Sequence, residues 1–328
     1  MPPPLRRFRR VLVCVALLAL ALAGAAAAGN GGFVPVSPAS PNEGGIRAVY
    51  WLILGLTGGI FLLVETALVL FIVRYRSRGR PREVEGPQVI GHTNLELAWT
   101  AAPVVILAVI AAFVFWKVPG ISNAPAAATG GAETIRIEGH QFYWECVYPN
   151  GAISIDTLRV PLNRKIRLDI VSDDVAHSWW VPALGGKLDA IPGQVNRTSF
   201  RATELGTFRG QCAEFCGIQH AAMVAYVKVL PPDQYDKWVR QRPSRPSELG
   251  RETFDGVCAK CHGLSGQGDI GPPIAQSPVL ADRAALTTLL RNGGIRMPAV
   301  GKTWRDTQLN ATLDYLRKRF KAGGGGGG

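Results

Sequence analysis

Residues 212–223 read "CAEFCGIQHAAM": two thiols four apart, an imidazole four residues on, and a thioether three beyond that. A second group, "CAKCH", occupies 258–262. The chain opens on an export-type leader, and exported thiols ordinarily end as disulfides. Two cysteine groups this tight, each with its own histidine, point instead to bound metal or a prosthetic group.

Working outward from the first group, His177 lies 35 residues before Cys212, in "DDVAHSWWVP". Short β-type runs surround both: "TIRIEG", "QFYWECVY", "SIDTLRVP", "KIRLDIVS", "RTSFRAT", "GTFRGQC" and "AAMVAYVKVL". Turn residues separate them at regular intervals, the pattern of a compact all-β sandwich or barrel over 132–232. Two inter-strand loops at one rim can then bring together His177, Cys212, Cys216, His220 and Met223. Thiolate, imidazole and thioether together favour copper over hard cations. Two thiolates can bridge two copper ions, each keeping one histidine; Met223 and the Glu214 carbonyl are the remaining donors. A Cys212–Cys216 disulfide and a structural zinc site are the competing readings. Methionine scarcity weighs against both. The chain has 3 Met, and those besides the initiator, Met223 and Met297, stand where a soft axial ligand is needed.

"CAKCH" is the c-type haem attachment pattern, in which Cys258 and Cys261 form thioethers and His262 binds iron. "GGIRMPAV" supplies Met297 as the distal ligand, and Met ligation raises the haem potential. Residues 251–322 read as a small all-α cytochrome c domain. The stretch 233–250 is expected to be a linker, a short helical stretch followed by a run rich in Pro, Ser and Arg. The glycine tail, 323–328, is assigned no structure.

The net charge of +12 is local rather than general. Four Arg lie in "RRFRR", five in 74–94 and a +6 excess in 233–322, whereas 119–232 is neutral. No basic, aromatic-interleaved strip appears, which excludes nucleic acid as a partner. Residues 1–28 have the basic, apolar and small-residue order of a signal peptide; an uncleaved first helix is the alternative. A transmembrane hairpin is expected over 45–118, with helices at about 48–73 and 95–118, since about 20 apolar residues cross a bilayer. The Arg-rich loop between them marks the cytoplasmic side. The fold class is thus a membrane-anchored multidomain chain: two-helix hairpin, β sandwich, helical domain. It sits twice-through in a bacterial plasma membrane among lipid, with both cysteine groups on the periplasmic or extracellular side.

These residues resemble subunit II of the haem-copper cytochrome c oxidases, whose exported cupredoxin domain carries the binuclear CuA centre. The likeness covers roughly 45–232 and includes "LELAWTAAPVV", "GHQFYWE", "DDVAHSWWVPALGGKLDAIPG" and "GQCAEFCGIQHAAM". The C-terminal part is similar to the cytochrome c domain fused to subunit II in caa3-type oxidases. The resemblance implies CuA ligation by His177, Cys212, Glu214 (carbonyl), Cys216, His220 and Met223. It implies that the Glu214 side chain reaches a magnesium ion shared with subunit I, and that Glu96 stands at the mouth of a proton path. Many members carry Trp after "GHQ", where a soluble cytochrome delivers electrons. Here the residue is Phe142, followed by Tyr143 and Trp144, so Phe142 and Trp144 are the aromatics through which electrons would enter. A tethered donor would explain the change.

No acid–base pair or nucleophile for covalent catalysis is evident. The function expected is electron transfer. The path runs from cytochrome c or another periplasmic donor to haem c, then to CuA, then to the haem-copper centre of subunit I, where dioxygen becomes water. The complex as a whole would be a proton-translocating oxidoreductase with further oxidase subunits. The alternatives are the copper subunit of a nitric oxide reductase-like complex and an anchored carrier without a catalytic partner. Cys146 reads as a buried strand residue; His92 and His140 as structural.

Overall fold

Among the described residues, ten strands build two five-stranded sheets. In this computed structural model residues 35–75, 88, 90–122, 132–275 and 277–320 are described. The signal peptide, the Arg-rich loop at 76–87 and the glycine tail lie outside the described residues.

The strands are β1 (Glu133–His140), β2 (Tyr143–Val147), β3 (Ile153–Ile155), β4 (Thr157–Pro161), β5 (Lys165–Ser172), β6 (His177–Trp180), β7 (Leu188–Ala190), β8 (Asn196–Arg201), β9 (Gly206–Cys212) and β10 (Val224–Leu230). Their orders are β3-β2-β1-β5-β8 and β4-β10-β9-β6-β7. The pairs β1–β5 and β4–β10 are parallel and the rest antiparallel. Ile135 and Ile137, Leu158 and Val160, Ile166, Leu168 and Ile170, and Val227 and Val229 alternate inward to form the core. "SIDTLRVP" reads as one strand in the sequence but is two, on different sheets. The chain crosses at Asp156, whose φ of 54° lies in the left-handed region that Asp tolerates better than most residues. The corner is bonded to both sheets: Asp156 N–H donates to the Trp144 carbonyl at 2.8 Å, and the Asp156 carbonyl accepts from Tyr226 N–H at 2.7 Å.

The apolar segments form α1 (Pro41–Tyr75) and α2 (Thr93–Ser122), both longer than expected. Polar start signals extend them. Ser40 Oγ accepts from the Glu43 N–H at 3.2 Å, and Glu96 Oε1 accepts from the His92 N–H at 3.1 Å. Asn42 Nδ2 donates to the carbonyls of Ile121 at 2.8 Å and Ser199 at 3.0 Å, pinning both helix ends to β8.

The expected linker is folded. α3 (Pro232–Gln241) and α4 (Pro246–Thr253) occupy it. Tyr235 is buried, and its hydroxyl donates to Glu133 at 2.7 Å. The buried Arg242 guanidinium donates to the Ile153 carbonyl at 2.8 Å and to Glu252 at 2.6 Å. The Pro and Arg that suggested an open tether are here helix starts and buried donors. α5 (Ala259–His262), α6 (Arg283–Asn292) and α7 (Asp306–Arg319) complete a small helical domain around Phe254, Leu286, Leu290, Leu313 and Leu316. Asp282 caps α6 by accepting from the N–H groups of Ala284 and Ala285, worth about 1 kcal/mol. Tyr143, Ile153 and Ile155 of the sandwich belong to this same apolar cluster.

Candidate metal and haem centres

Sheet register assembles the first centre. β6 begins at His177, β9 ends at Cys212, and these strands pair with Trp179 opposite Cys212. β9 also pairs with β10, placing Met223 beside Cys212, whose N–H donates to the Met223 carbonyl at 2.9 Å. Cys216 and His220 come from the intervening loop, His220 in a single 3₁₀ turn.

The donor atoms converge. Cys212 Sγ lies 3.9 Å from His177 Nδ1 and 3.2 Å from the Glu214 carbonyl oxygen. Cys216 Sγ lies 3.6 Å from His220 Nδ1 and 3.8 Å from Met223 Sδ. Each sulfur thus has its own imidazole and its own weaker donor. No disulfide joins the pair: Cys212 and Cys216 are both free and buried. Burial, then the neighbouring Cys212, pushes the Cys216 thiol up to about 12. Burial would raise Cys212 too, but the hydrogen bond from His177 holds it below its ordinary value. Two adjacent thiolates would repel each other, and a cation between them would offset that repulsion. That donor chemistry fits soft metal ions and suits hard ones poorly.

Two orienting residues were not recognised from sequence. Asp174 Oδ1 accepts from His177 Nε2 at 2.7 Å, which turns Nδ1 toward Cys212. Asp174 also accepts the Gln141 N–H at 2.6 Å. Gln141 Nε2 in turn donates to the Cys216 carbonyl at 2.6 Å. The signal for Asp174 was an acid three residues before a candidate ligand. Gly139 is required behind His177: a Cβ there would stand 2.9 Å from the ring.

The aromatic run does not lie open. Trp144 is wholly buried, its ring edge-on to His177 at 5.8 Å and to Trp179 at 5.2 Å. Tyr143, on the opposite face of β2, is buried too, its hydroxyl accepting from Trp304 Nε1 at 2.8 Å. Phe142 is half-buried against Gly217. Trp144 is therefore no surface contact for a donor, because strand alternation turns it into the core. The Glu214 side chain is exposed on the copper-side loop. Glu96 closes the first turn of α2. Cys146 is buried in β2. His140 stacks on Tyr143 at 4.7 Å and lies in a buried cluster with Glu138 and Glu145.

At the second centre, Cys258, Cys261, His262 and Met297 line one cavity of about 320 Å³. Its other walls are mostly apolar, among them Val257, Leu286, Leu290 and Leu316, with Ser277 and Arg296 also lining it. His262 Nδ1 donates to the Pro272 carbonyl at 2.6 Å, which leaves Nε2 as the free lone pair. A Cβ on Gly271 would stand 2.7 Å from the His262 ring, so that wall needs glycine. An apolar slot with two thiols, one oriented imidazole and one thioether fits a covalently held haem.

A two-helix anchor, a sandwich with a two-thiol candidate metal site and a helical domain with an attachment motif point to a class: membrane-tethered redox proteins with two centres. Family models narrow it. "Cytochrome C oxidase subunit II, transmembrane domain" matches residues 30–116 and "Cytochrome C oxidase subunit II, periplasmic domain" matches 152–230. "Cytochrome C oxidase, cbb3-type, subunit III" matches 246–316. Cytochrome c oxidase subunit 2 of Alkalihalophilus pseudofirmus is 35% identical over 62% of this chain and 64% of its own length. The probable subunit 2 of Rickettsia bellii is 32% identical over 64% of this chain and 83% of its own. The crystal structure of the periplasmic domain of subunit II from Bradyrhizobium japonicum is 32% identical, covering 36% of this chain and 99% of that one, with a TM-score of 0.34. The chain belongs to the cytochrome c oxidase subunit II family and carries a cytochrome c domain at its C-terminal side. It is a two-pass membrane protein with that side periplasmic, and the matched families imply copper in the sandwich and haem c in the helical domain.

Proposed function

We propose that this chain receives electrons for a caa3-type cytochrome c oxidase. It takes them from cytochrome c or another periplasmic donor and hands them to subunit I, where dioxygen is reduced to water. The observation that carries the reading is the paired donor set. Two buried thiols, each with its own imidazole and weaker donor 3.2–3.9 Å away, stand in the same chain as an attachment slot. When bound, the copper pair and haem would supply one-electron chemistry. The chain's own residues do the rest. Cys212, Cys216, His177, His220, Met223 and the Glu214 carbonyl would hold the copper. Cys258 and Cys261 would hold haem covalently, and His262 and Met297 would be its iron donors. Asp174 fixes the His177 tautomer and the Pro272 carbonyl fixes that of His262. Trp144 and the strands around it keep water from the sulfur atoms. The exposed Glu214 carboxylate is assigned to a magnesium ion shared with subunit I, and Glu96 to the mouth of a proton path there.

Metal analysis with electron paramagnetic resonance and optical spectra of the full chain, matured with copper and haem, tests this. Two coppers per chain with a mixed-valence signal, beside a low-spin c-type haem, are expected. Zinc or a disulfide at Cys212 and Cys216 would overturn the reading.

A further inference from the structure

The two redox segments touch, and the contact is made by a residue that neither centre uses. Lys260 lies between the two cysteines of the attachment turn. Its ammonium donates to the Phe142 carbonyl at 2.8 Å and to Asp156 Oδ2 at 2.7 Å, and its side chain is only 14% exposed. Its carbonyl accepts from Gln219 Nε2 at 3.2 Å, and Gln219 immediately precedes His220. On the other wing, Asp156 Oδ1 accepts the Trp144 N–H at 2.8 Å, and Trp144 stands edge-on to His177. The attachment turn is therefore tied to both sides of the copper site. One tie runs through Gln219 to His220, the other through Asp156 and Trp144 to His177.

Haem attachment does not require this lysine. Thioether formation uses Cys258 and Cys261, and iron uses the His262 ring. A lysine left to itself keeps its ammonium hydrated on a flexible stem. Here the ammonium has exchanged water for a nearly buried carboxylate and a carbonyl, an exchange that only a held geometry repays. The backbone is fitted to the same contact: a Cβ on Gly256, two residues before Cys258, would stand 2.5 Å from Ile155 Cγ2. Asp156, the corner where the chain changes sheets, is thus also the acceptor that receives the cytochrome domain.

We propose that Lys260 and Gln219 are positioning residues that hold the haem-attachment turn in fixed register on the copper loop. Internal electron transfer then runs between docked segments rather than between a tethered cytochrome and a surface it must find. In that step one electron lost by the haem is gained by the copper pair; no bond forms and no proton moves. The inference rests on the reading of the two centres given above.

The first test needs neither cofactor. In the full chain in detergent, timed amine acetylation with mass spectrometry compares Lys260 with the exposed Lys302. Lys260 is expected to react about tenfold more slowly, the effect of one charge-assisted hydrogen bond, and to lose that protection in Asp156→Asn. Equal reactivity of the two lysines in the unsubstituted chain overturns the docking. The second test uses the copper- and haem-loaded full chain and follows transfer between the centres after flash reduction of the haem. Lys260→Met and Gln219→Leu are each expected to slow it about tenfold, and Lys260→Arg to restore most of the rate, with both spectra unaltered. Unchanged rates with both spectra intact overturn the positioning role. Absence of the copper or haem signal in the unsubstituted chain would instead sink the assignment of the centres, and acetylation would still judge the docking.

Discussion

Replacing Arg305 with alanine should loosen the cytochrome domain from the sandwich, and should do so more at pH 8 than at pH 6. Glu138 and Glu145 are directly opposite each other in the β1–β2 pair, an arrangement of like charges that is destabilising by itself. Their side chains are only 8% and 2% exposed. Arg305, arriving from the cytochrome domain, donates to Glu138 at 3.0 Å and also to Glu145. Arg136 holds Glu138 as well, at 2.7 Å, so Glu145 is the carboxylate that Arg305→Ala strands. Removing one partner of a buried pair costs about 3–5 kcal/mol. Arg305 is itself 42% exposed, and screening lowers that figure to about 2 kcal/mol. The opening equilibrium should then shift by about thirtyfold. Burial, then the Glu138 charge, pushes the Glu145 carboxyl up to about 7 against the opposing pull of Arg305. A carboxyl raised in the folded state favours folding at low pH and loses that contribution as pH climbs through its folded value. Removing Arg305 withdraws that pull and raises the carboxyl further, so at pH 6 Glu145 is mostly protonated with or without Arg305 and little is lost, whereas at pH 8 the loss falls on a carboxyl that Arg305 had helped to ionise. Hydrogen exchange of segments 143–148 and 300–309, corrected for intrinsic rates, reads the opening. Glu145→Gln in the same background should abolish the difference between the two pH values. An Arg305→Ala effect of equal size at both, or none at either, would refute the reasoning.

Three further outcomes follow from single contacts. Asp174→Ala removes the acceptor that orients His177 and should weaken copper retention by about 10–100-fold in a chelator competition; unchanged retention would dismiss that role. Met297→Ala should keep haem covalently bound on a denaturing gel, through Cys258 and Cys261, while the low-spin Met-ligated spectrum disappears; an unaltered spectrum would mean another distal ligand. Gly210→Ala would put a Cβ 2.4 Å from the Trp180 carbonyl oxygen, forcing β9 away from β6. It should cost the sandwich about 1–3 kcal/mol, read as a lower unfolding temperature, and an unchanged Tm would show that the strands can part without penalty.

What could be read from the chain was local. The copper-side donors sit within twelve residues plus one histidine, and the haem motif within five, so spacing alone carried the chemistry. Two features escaped because their causes are distant or unusual. The sheet change at Asp156 rests on a left-handed backbone that a run of β-type residues conceals. The short strand β7, inside "GGKLDAIPG", is held by pairing with β6 rather than by its own composition. The first part of 233–250 was legible as helical, its stripe of Tyr235, Trp238 and Val239 showing through, whereas the folding of the Pro/Ser/Arg part after it was not. The docking contacts were beyond reach: Trp304 meets Tyr143 across 161 residues, and no local pattern announces such a pairing.

Those distant contacts change what the aromatic run "QFYWE" means. Each residue is committed elsewhere. Gln141 supports the copper loop, Tyr143 and Glu145 receive the cytochrome domain, and Trp144 backs His177. Phe142 is half-buried, and its ring lies close enough to Gly217 that a Cβ there would stand 3.0 Å from it. Phe142 stands where many family members carry the Trp that meets a soluble cytochrome, a change that a tethered donor would explain. Phe142→Trp should bring no gain in oxidation of soluble cytochrome c by the assembled complex, and should disturb the copper spectrum by pressing on Gly217 and the Cys216 segment. A clear gain with an undisturbed spectrum would mean that this face opens to a second protein, and that the docked cytochrome domain is not what occupies it during turnover.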